Sequence, residues 1–169
     1  MKNLNVVSPY EVITSVNGSN KPTSYDALII TNQRVHYLPK GIGKYFQNIS
    51  TLKVYNSGLK TIRKDNFRSL NKLTRLELPQ NNLDKLDQDL FDHMSNLKNI
   101  IFDNNKLQSV GDGLLDRLSL DEASFKNNSC INEPSGDIFQ EAEDILRLVS
   151  LFFKYSHTRT FFLSVFTGF

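Results

Sequence analysis

The sequence predicts an α/β solenoid: short parallel strands stacked into one curved, concave sheet, with irregular or short-helical return segments on the convex side and a helix at the C-terminal end. Three observations predict it. Leu28, Leu52, Leu76, Ile100 and Ala123 stand 24, 24, 24 and 23 residues apart. Two positions further on, Ile30, Val54, Leu78, Phe102 and Phe125 repeat that spacing. Beside them runs a polar column, Gln33, Ser57, Asn81, Asn105 and Asn128, in a chain where 18 of 169 residues are Asn. A fixed period in the range of roughly 20–50 residues marks an architecture of stacked turns.

The first element is the segment 1–25, a candidate cap for the open end of the stack. Its apolar run, Val6-Val7, is two residues long, against the roughly 7–15 of a secretory leader. No signal peptide is therefore expected in this chain, and its natural ends are expected to lie elsewhere. Residues 26–132 hold about five turns. In each, the two leading apolar residues are two apart, so both point to the same side of a short strand. Val35, Leu59, Leu83, Leu107 and Cys130, followed by Leu38, Ile62, Leu86 and Val110, close a narrow apolar triangle. One turn cannot bury its own Leu residues, so neighbours must stack, each buried side chain contributing roughly 1.5–3 kcal/mol.

The bend after each strand carries backbone groups that water does not reach. An Asn amide both donates and accepts, so Asn81, Asn105 and Asn128 are read as scaffold that satisfies them. Gln33 and Ser57 fit that role less well, which predicts looser first turns. In the return segments Phe67, Phe91 and Leu115 share one position, and Leu73 and Leu97 another. Residues 133–169 form the third element. Ser135 is a helix cap, and Asp137, Glu141, Glu143 and Asp144 suit the positive end of a helix. Ile138, Ala142, Ile145, Leu146, Val149, Phe152 and Phe153 share one face, which is expected to cover the last turn. Six of the 12 Phe lie between Phe152 and Phe169. Arg147, Lys154, His157 and Arg159 interrupt that stretch, so a membrane span is not expected; contact of the Phe-rich end with a membrane or a partner is the alternative.

Each unit reads L-x-L-x-x-N-x-L-x-x-L, cleanest in Leu76-Glu77-Leu78-Pro79-Gln80-Asn81-Asn82-Leu83-Asp84-Lys85-Leu86. This resembles the leucine-rich repeat family. A 24-residue unit with Phe in the return segment looks like the "typical" subclass, common in extracellular animal proteins such as Toll ectodomains, Slit and small proteoglycans. Ser124-Phe125-Lys126-Asn127-Asn128-Ser129-Cys130-Ile131 is similar to the close of the array in small secreted insect members. The resemblance spans residues 26–132. It implies a protein-binding module, outside the cell or on its surface, that meets a protein ligand or receptor through the concave sheet. Family members outside the cell commonly carry Cys-rich caps at both ends. Here Cys130 stands alone: either it is a buried thiol at a Leu position, or it begins a cap whose partner is missing. A lone Cys and the lack of a leader favour the alternative of an intracellular, cytoplasmic adaptor, and the Phe-rich tail that of a membrane-associated structural protein.

The remaining residues narrow the function. Twenty Lys+Arg against 18 Asp+Glu leave a net charge of +2, with none of the clustered basic charge that nucleic acid demands. No enzyme, cofactor or metal site is predicted. His36, His93 and His157 share no motif. Gly41-Ile42-Gly43-Lys44 lacks the upstream Gly of a phosphate loop and has Tyr45 where a Ser or Thr belongs. Asp87-Gln88-Asp89 lacks the Gly and Glu of a calcium loop, and no zinc spacing occurs. The outward strand positions form three columns. The first is Ile29, Lys53, Glu77, Ile101 and Ser124. The second is Thr31, Tyr55, Pro79, Asp103 and Lys126. The third, amide throughout, is Asn32, Asn56, Gln80, Asn104 and Asn127. Partner contact is expected from Lys53, Tyr55, Asn56, Glu77, Gln80, Ile101, Asp103, Asn104 and Lys126, with Tyr55 as the aromatic anchor and the charged residues setting specificity. Asp103 is expected to face solvent and to add little to stability. Three glycosylation triplets begin at Asn17, Asn48 and Asn127, about as many as composition supplies by chance. A glycan on Asn127 would obstruct the concave face.

Overall fold

The computed structural model describes residues 26–129 and the backbone of Asn5 and Val6. In chain order the strands are β1 (Asn5–Val6), β2 (Ala27–Thr31), β3 (Arg34–Val35), β4 (Thr51–Tyr55), β5 (Arg75–Glu77), β6 (Lys85–Leu86), β7 (Asn99–Ile101), β8 (Ser109–Val110) and β9 (Glu122–Ser124). β2, β4, β5, β7 and β9 form one five-stranded sheet in that order, and every neighbouring pair is parallel. Each turn of the chain thus lays one strand beside the last, as a leucine-rich-repeat solenoid requires. The register is the one the period predicts: Leu28 opposite Leu52, Leu52 opposite Leu76, Leu76 opposite Ile100, Ile100 opposite Ala123. A slip of one residue would turn these columns outward.

After the bend, a second line of short parallel pairs runs along one rim of the coil. It comprises β1 with β3, β6 with β8, and a single bridge between Tyr37 and Thr61. The convex side holds little helix: one α-helical turn, α1 (Ile42–Tyr45), and one 3₁₀ turn (Lys64–Phe67). Elsewhere on that side backbone bonds such as Met94 N–H to Phe91 O (2.9 Å) and Asp116 N–H to Gly113 O (3.1 Å) close tight turns.

The core fills the space between sheet and return segments. Leu52, Val54, Leu76, Leu78, Ile100 and Phe102 are all fully buried, as are Leu59, Leu83 and Leu107 behind the bend. Phe67, Phe91 and Leu115 close the convex side together with Leu73 and Leu97. At the C-terminal end, Phe102 stacks on Phe125 with ring centroids 5.5 Å apart and planes 7° from parallel. The outermost members, Leu28, Ala123 and Phe125, are only partly buried among the described residues.

The amide column works as a ladder. Asn81 Oδ1 accepts from Ser57 N–H and Leu59 N–H, both at 3.1 Å. Its Nδ2 donates to Val54 O (2.7 Å) and Leu78 O (3.1 Å). Asn105 Oδ1 accepts from Leu83 N–H (3.1 Å) while its Nδ2 donates to Leu78 O and Phe102 O, both at 2.9 Å. Asn128 repeats the arrangement with Leu107 N–H and Phe102 O. One turn's amide therefore satisfies backbone groups of the turn before it, and no buried side-chain nitrogen or oxygen among the described residues lacks a partner. Ser57, also buried, takes Gln33 N–H at 3.3 Å and donates to Tyr55 O at 2.9 Å. The Gln33 side chain turns to Thr31 O and Asn32 O of its own bend.

Gly43 occupies the position that holds Phe67 one turn later. A Cβ there would sit 2.0 Å from Arg68 O. The first turn thus packs backbone against backbone, and the neighbouring Ile42 supplies the buried side chain. The expected C-terminal helix, most of the expected N-terminal cap, Cys130, Asn17 and the Phe-rich tail lie outside the described residues.

Candidate binding face

Strand alternation sets the outward face. In β4, Leu52 and Val54 are buried while Thr51, Lys53 and Tyr55 are half-buried. The sheet is parallel and in register, so each outward position continues straight across the neighbouring strands. All three expected columns are present. A further one, missed in the sequence, lies two residues before the first: Ala27, Thr51, Arg75, Asn99 and Glu122 stand opposite one another across the sheet. Extending the strand's period of two by one step would have found it.

That added column changes the reading of Glu77, which is not a free recognition charge. It is 8% exposed. Its carboxylate accepts from Lys53 Nζ at 2.8 Å on the preceding strand and from Arg75 Nε two residues before it. Arg75 also reaches Glu122 at 3.8 Å, and Asn99 Nδ2 donates to the same Glu122 carboxylate at 3.0 Å. Burial pushes the Glu77 carboxyl up, but the hydrogen bonds and charges of Lys53 and Arg75 outweigh it, and its pKa lies below the ordinary value. The pairing holds Arg75 above its own ordinary value. These charges form a tie across four strands. Of them, Lys53, Arg75 and Glu122 remain partly accessible to a partner, with side chains 36%, 40% and 47% exposed.

Asp103 is likewise corrected. It is half-buried, and its Oδ1 accepts from the Ser124 hydroxyl at 2.6 Å and from Lys126 N–H at 2.9 Å. It ties β9 and the following bend to the turn before. Lys126 has a half-buried side chain with no ion-pair partner among the described residues. Ile29 is 61% exposed, the one exposed large hydrophobic residue among the described residues. Half-buried Tyr55, Pro79 and Ile101 add apolar surface on the outward side of later turns, with Lys53 and Glu77 standing between Ile29 and Ile101 in one column.

The third column has a backbone cause. Asn32, Asn56, Gln80, Asn104 and Asn127 all have positive φ, between 46° and 56°. Asn visits that left-handed region more readily than most residues with a side chain. The twisted backbone lets each N–H continue the ladder, as in Gln80 N–H to Asp103 O (2.9 Å) and Asn104 N–H to Lys126 O (2.7 Å). Asn56, Gln80 and Asn104 stay exposed. Outward amides also meet: Asn56 Nδ2 donates to Asn32 Oδ1 at 2.8 Å, and Asn127 Nδ2 to Asn104 Oδ1 at 3.0 Å. Of the glycosylation triplets, Asn48 lies half-buried between α1 and β4, and the Ser50 hydroxyl donates to Asp26 O at 3.1 Å. Asn127 stands on the concave side, and its Nδ2, the atom a glycan would occupy, is the ladder donor just described.

Away from the sheet, the convex side carries a second ionic cluster. Lys64 Nζ lies 2.8 Å from Asp92 and 3.5 Å from Asp89, and Arg117 lies 3.5 Å from Asp92. The hydrogen bond from Lys64 holds the Asp92 carboxyl below its ordinary value. Among the described residues no group of three or more His, Cys, Asp or Glu side chains could hold a metal ion. No helix among them is long and apolar enough to cross a membrane.

Residues 23–144 match the family described as BspA type leucine rich repeat region, in six copies. Among solved structures, the chain is similar to Drosophila Toll in its complex with Spatzle, with a TM-score of 0.58 and 22% identity over 62% of this chain. The glycosylated form of that complex gives 0.57 and 22% over 61%. The chain spans 14% of the length of the Toll chain, and at this identity the likeness is one of fold. None of the curated proteins matches.

Proposed function

The chain belongs to the leucine-rich repeat family, BspA type, and on that premise we propose that it is a non-enzymatic module that binds a protein through its concave sheet. One observation carries the reading. The outward side of the sheet carries the apolar side chains of Ile29, Tyr55, Pro79 and Ile101, set among the tied charges of Lys53, Arg75 and Glu122 and flanked on one side by the amides of Asn56, Gln80 and Asn104. Apolar and aromatic side chains set among polar groups are what a non-obligate protein interface presents. The supporting backbone is held by the inner amide ladder, so little ordering would be needed on binding. Toll, one of the similar solved structures, is itself seen in complex with Spatzle. Among the contact residues expected from the sequence, Tyr55 and Ile101 are the anchors; Lys53, Asn56, Gln80, Asn104 and Lys126 supply polar contacts. Glu77 and Asp103 act by holding their neighbours in place.

We place the module outside the cell or at its surface, by resemblance to Toll-type ectodomains. The experiment is site-specific photo-crosslinking in cells that make the protein. Benzoylphenylalanine replaces Tyr55 in one variant and Ser95, exposed on the convex side, in another. The reading expects a discrete crosslinked protein from position 55 and none from position 95. The reverse pattern would move the site off the sheet. Intact-mass analysis of the native protein tests its location: a glycan on Asn48 supports an extracellular module, and an unmodified chain with a cytosolic crosslinked partner supports an intracellular adaptor.

A further inference from the structure

On the rim of the first turns, outside the sheet, we propose an oxyanion site: a notch over Gly58, lined by Arg34, His36, Lys60 and Asn82, that receives a sulfate or phosphate group borne by a larger ligand. The stack builds it. Val35 is fully buried, so its neighbours Arg34 and His36 both project outward. Lys60 N–H donates to His36 O at 2.9 Å and Asn82 N–H to Leu59 O at 2.8 Å, which lays three turns side by side. Gly58 occupies the place on the second turn that Arg34 holds on the first and Asn82 on the third. It has no side chain, so a shallow recess about one methyl group deep is left between them, over which a larger group can sit. A Cβ there would lie 3.4 Å from His36 Cδ2, 3.7 Å from His36 Nε2 and 3.9 Å from Asn82 Nδ2. A donor of each kind, imidazole and amide, thus faces the same small space.

Arg34 and Lys60 are exposed, and no ion pair joins either to a carboxylate among the described residues, unlike Lys53, Lys64, Arg75, Lys85 and Arg117. Burial, then the charges of Lys60 and Arg34, hold the His36 imidazole below its usual value. That repulsion is the counterpart of the attraction an anion would feel at the same place. Asp84, exposed on the third turn in the same row as Lys60, bounds the site on that side. A guanidinium fork, an ammonium, an imidazole and a neutral amide donor suit a tetrahedral oxyanion, which takes several charge-assisted bonds at once. The site lies off the concave face, so its failure leaves the protein-binding proposal intact.

The test is an NMR titration of the full chain with inorganic phosphate and with sulfate, read at the His36 ring protons and the Asn82 side-chain amide, with chloride at matched ionic strength as the reference. Saturable shifts at both residues, absent with chloride, are expected. Arg34→Ala with Lys60→Ala should weaken binding about tenfold or more. Gly58 has φ +71°, which Asp tolerates; Gly58→Asp should fill the notch with a carboxylate and abolish binding. Thermal melts of both variants check that they fold. A sulfated tetrasaccharide and a phosphoserine peptide then identify the source of the anion, the tighter of the two naming it. Shifts that rise linearly and match chloride, or binding by the Arg34/Lys60 double variant within twofold of the parent, would overturn the proposal.

Discussion

Asn104 and Asn105 are adjacent and chemically identical, yet the fold uses them for unrelated reasons. Asn105 points inward, 7% exposed, and bonds backbone of two turns. Asn104 is exposed, and what the fold requires of it is a backbone at φ 55°. The same division recurs at Gln80 and Asn81 and at Asn127 and Asn128. In the inner column the amide is needed for its two-sided hydrogen bonding. In the outer column it is needed because Asn tolerates a left-handed bend, and its side chain stays at the surface, where Asn104 Oδ1 accepts from Asn127 and Asn32 Oδ1 from Asn56. Asn-rich composition therefore reports two constraints, of which only one is about side-chain chemistry.

The comparison predicts an order of effects. Asn105→Ala should be the most damaging, costing about 2 kcal/mol or more, because Leu83 N–H is left unsatisfied in a buried setting, while Leu78 O and Phe102 O each lose one of two amide donors and keep Asn81 and Asn128. Urea denaturation measures it, and a cost under about 1 kcal/mol would refute the ladder. Asp103→Ala should cost roughly 1–3 kcal/mol, since Lys126 N–H and the Ser124 hydroxyl lose a charged acceptor; an unchanged midpoint would return Asp103 to a purely solvent-facing role. Asn104→Ala should cost about 1 kcal/mol through backbone strain, whereas Asn104→Gly should be nearly neutral. If the two behaved alike, the outer column's conformation would not be the constraint.

The smallest effect concerns pH. The folded pKa of Glu77 lies below its ordinary value. Its contribution is therefore fully present above the ordinary carboxylate range and is lost as pH falls through the folded value. Glu77→Gln should flatten the acid limb of the stability curve below about pH 4. An acid limb as steep as the parent's would show that the tie to Lys53 and Arg75 carries no stability.

Much of this was legible in the chain. A 24-residue period places Leu52, Leu76 and Ile100 in one column whatever the details of the bend, because a stacked turn has no other way to bury them. The inner Asn column follows from the same step, since a bend sealed from water needs a group that both donates and accepts. The outer column's backbone was half legible: Asn, Asn, Gln, Asn and Asn in one place is the composition of a left-handed position. Glu77 was not legible. Its neighbours in the chain, Leu76 and Leu78, say only that it points outward. Its burial arises from Lys53, 24 residues earlier, and from Arg75, which share its face once the strands align. Asp103 is the same case, with acceptor and donors 21 and 23 residues apart.

Periodicity thus settles the solenoid, the strand register and which residues face the core, because those depend on spacing along one chain and on the cost of exposed apolar surface. Which outward charges are open to a partner and which are consumed by a neighbour emerges only when the turns stack. So does the notch at Gly58, where a missing side chain matters because of what Arg34 and Asn82 place on either side of it. Contacts of that kind depend on side-chain reach across strands, a distance of a few ångströms that no pattern of spacing encodes.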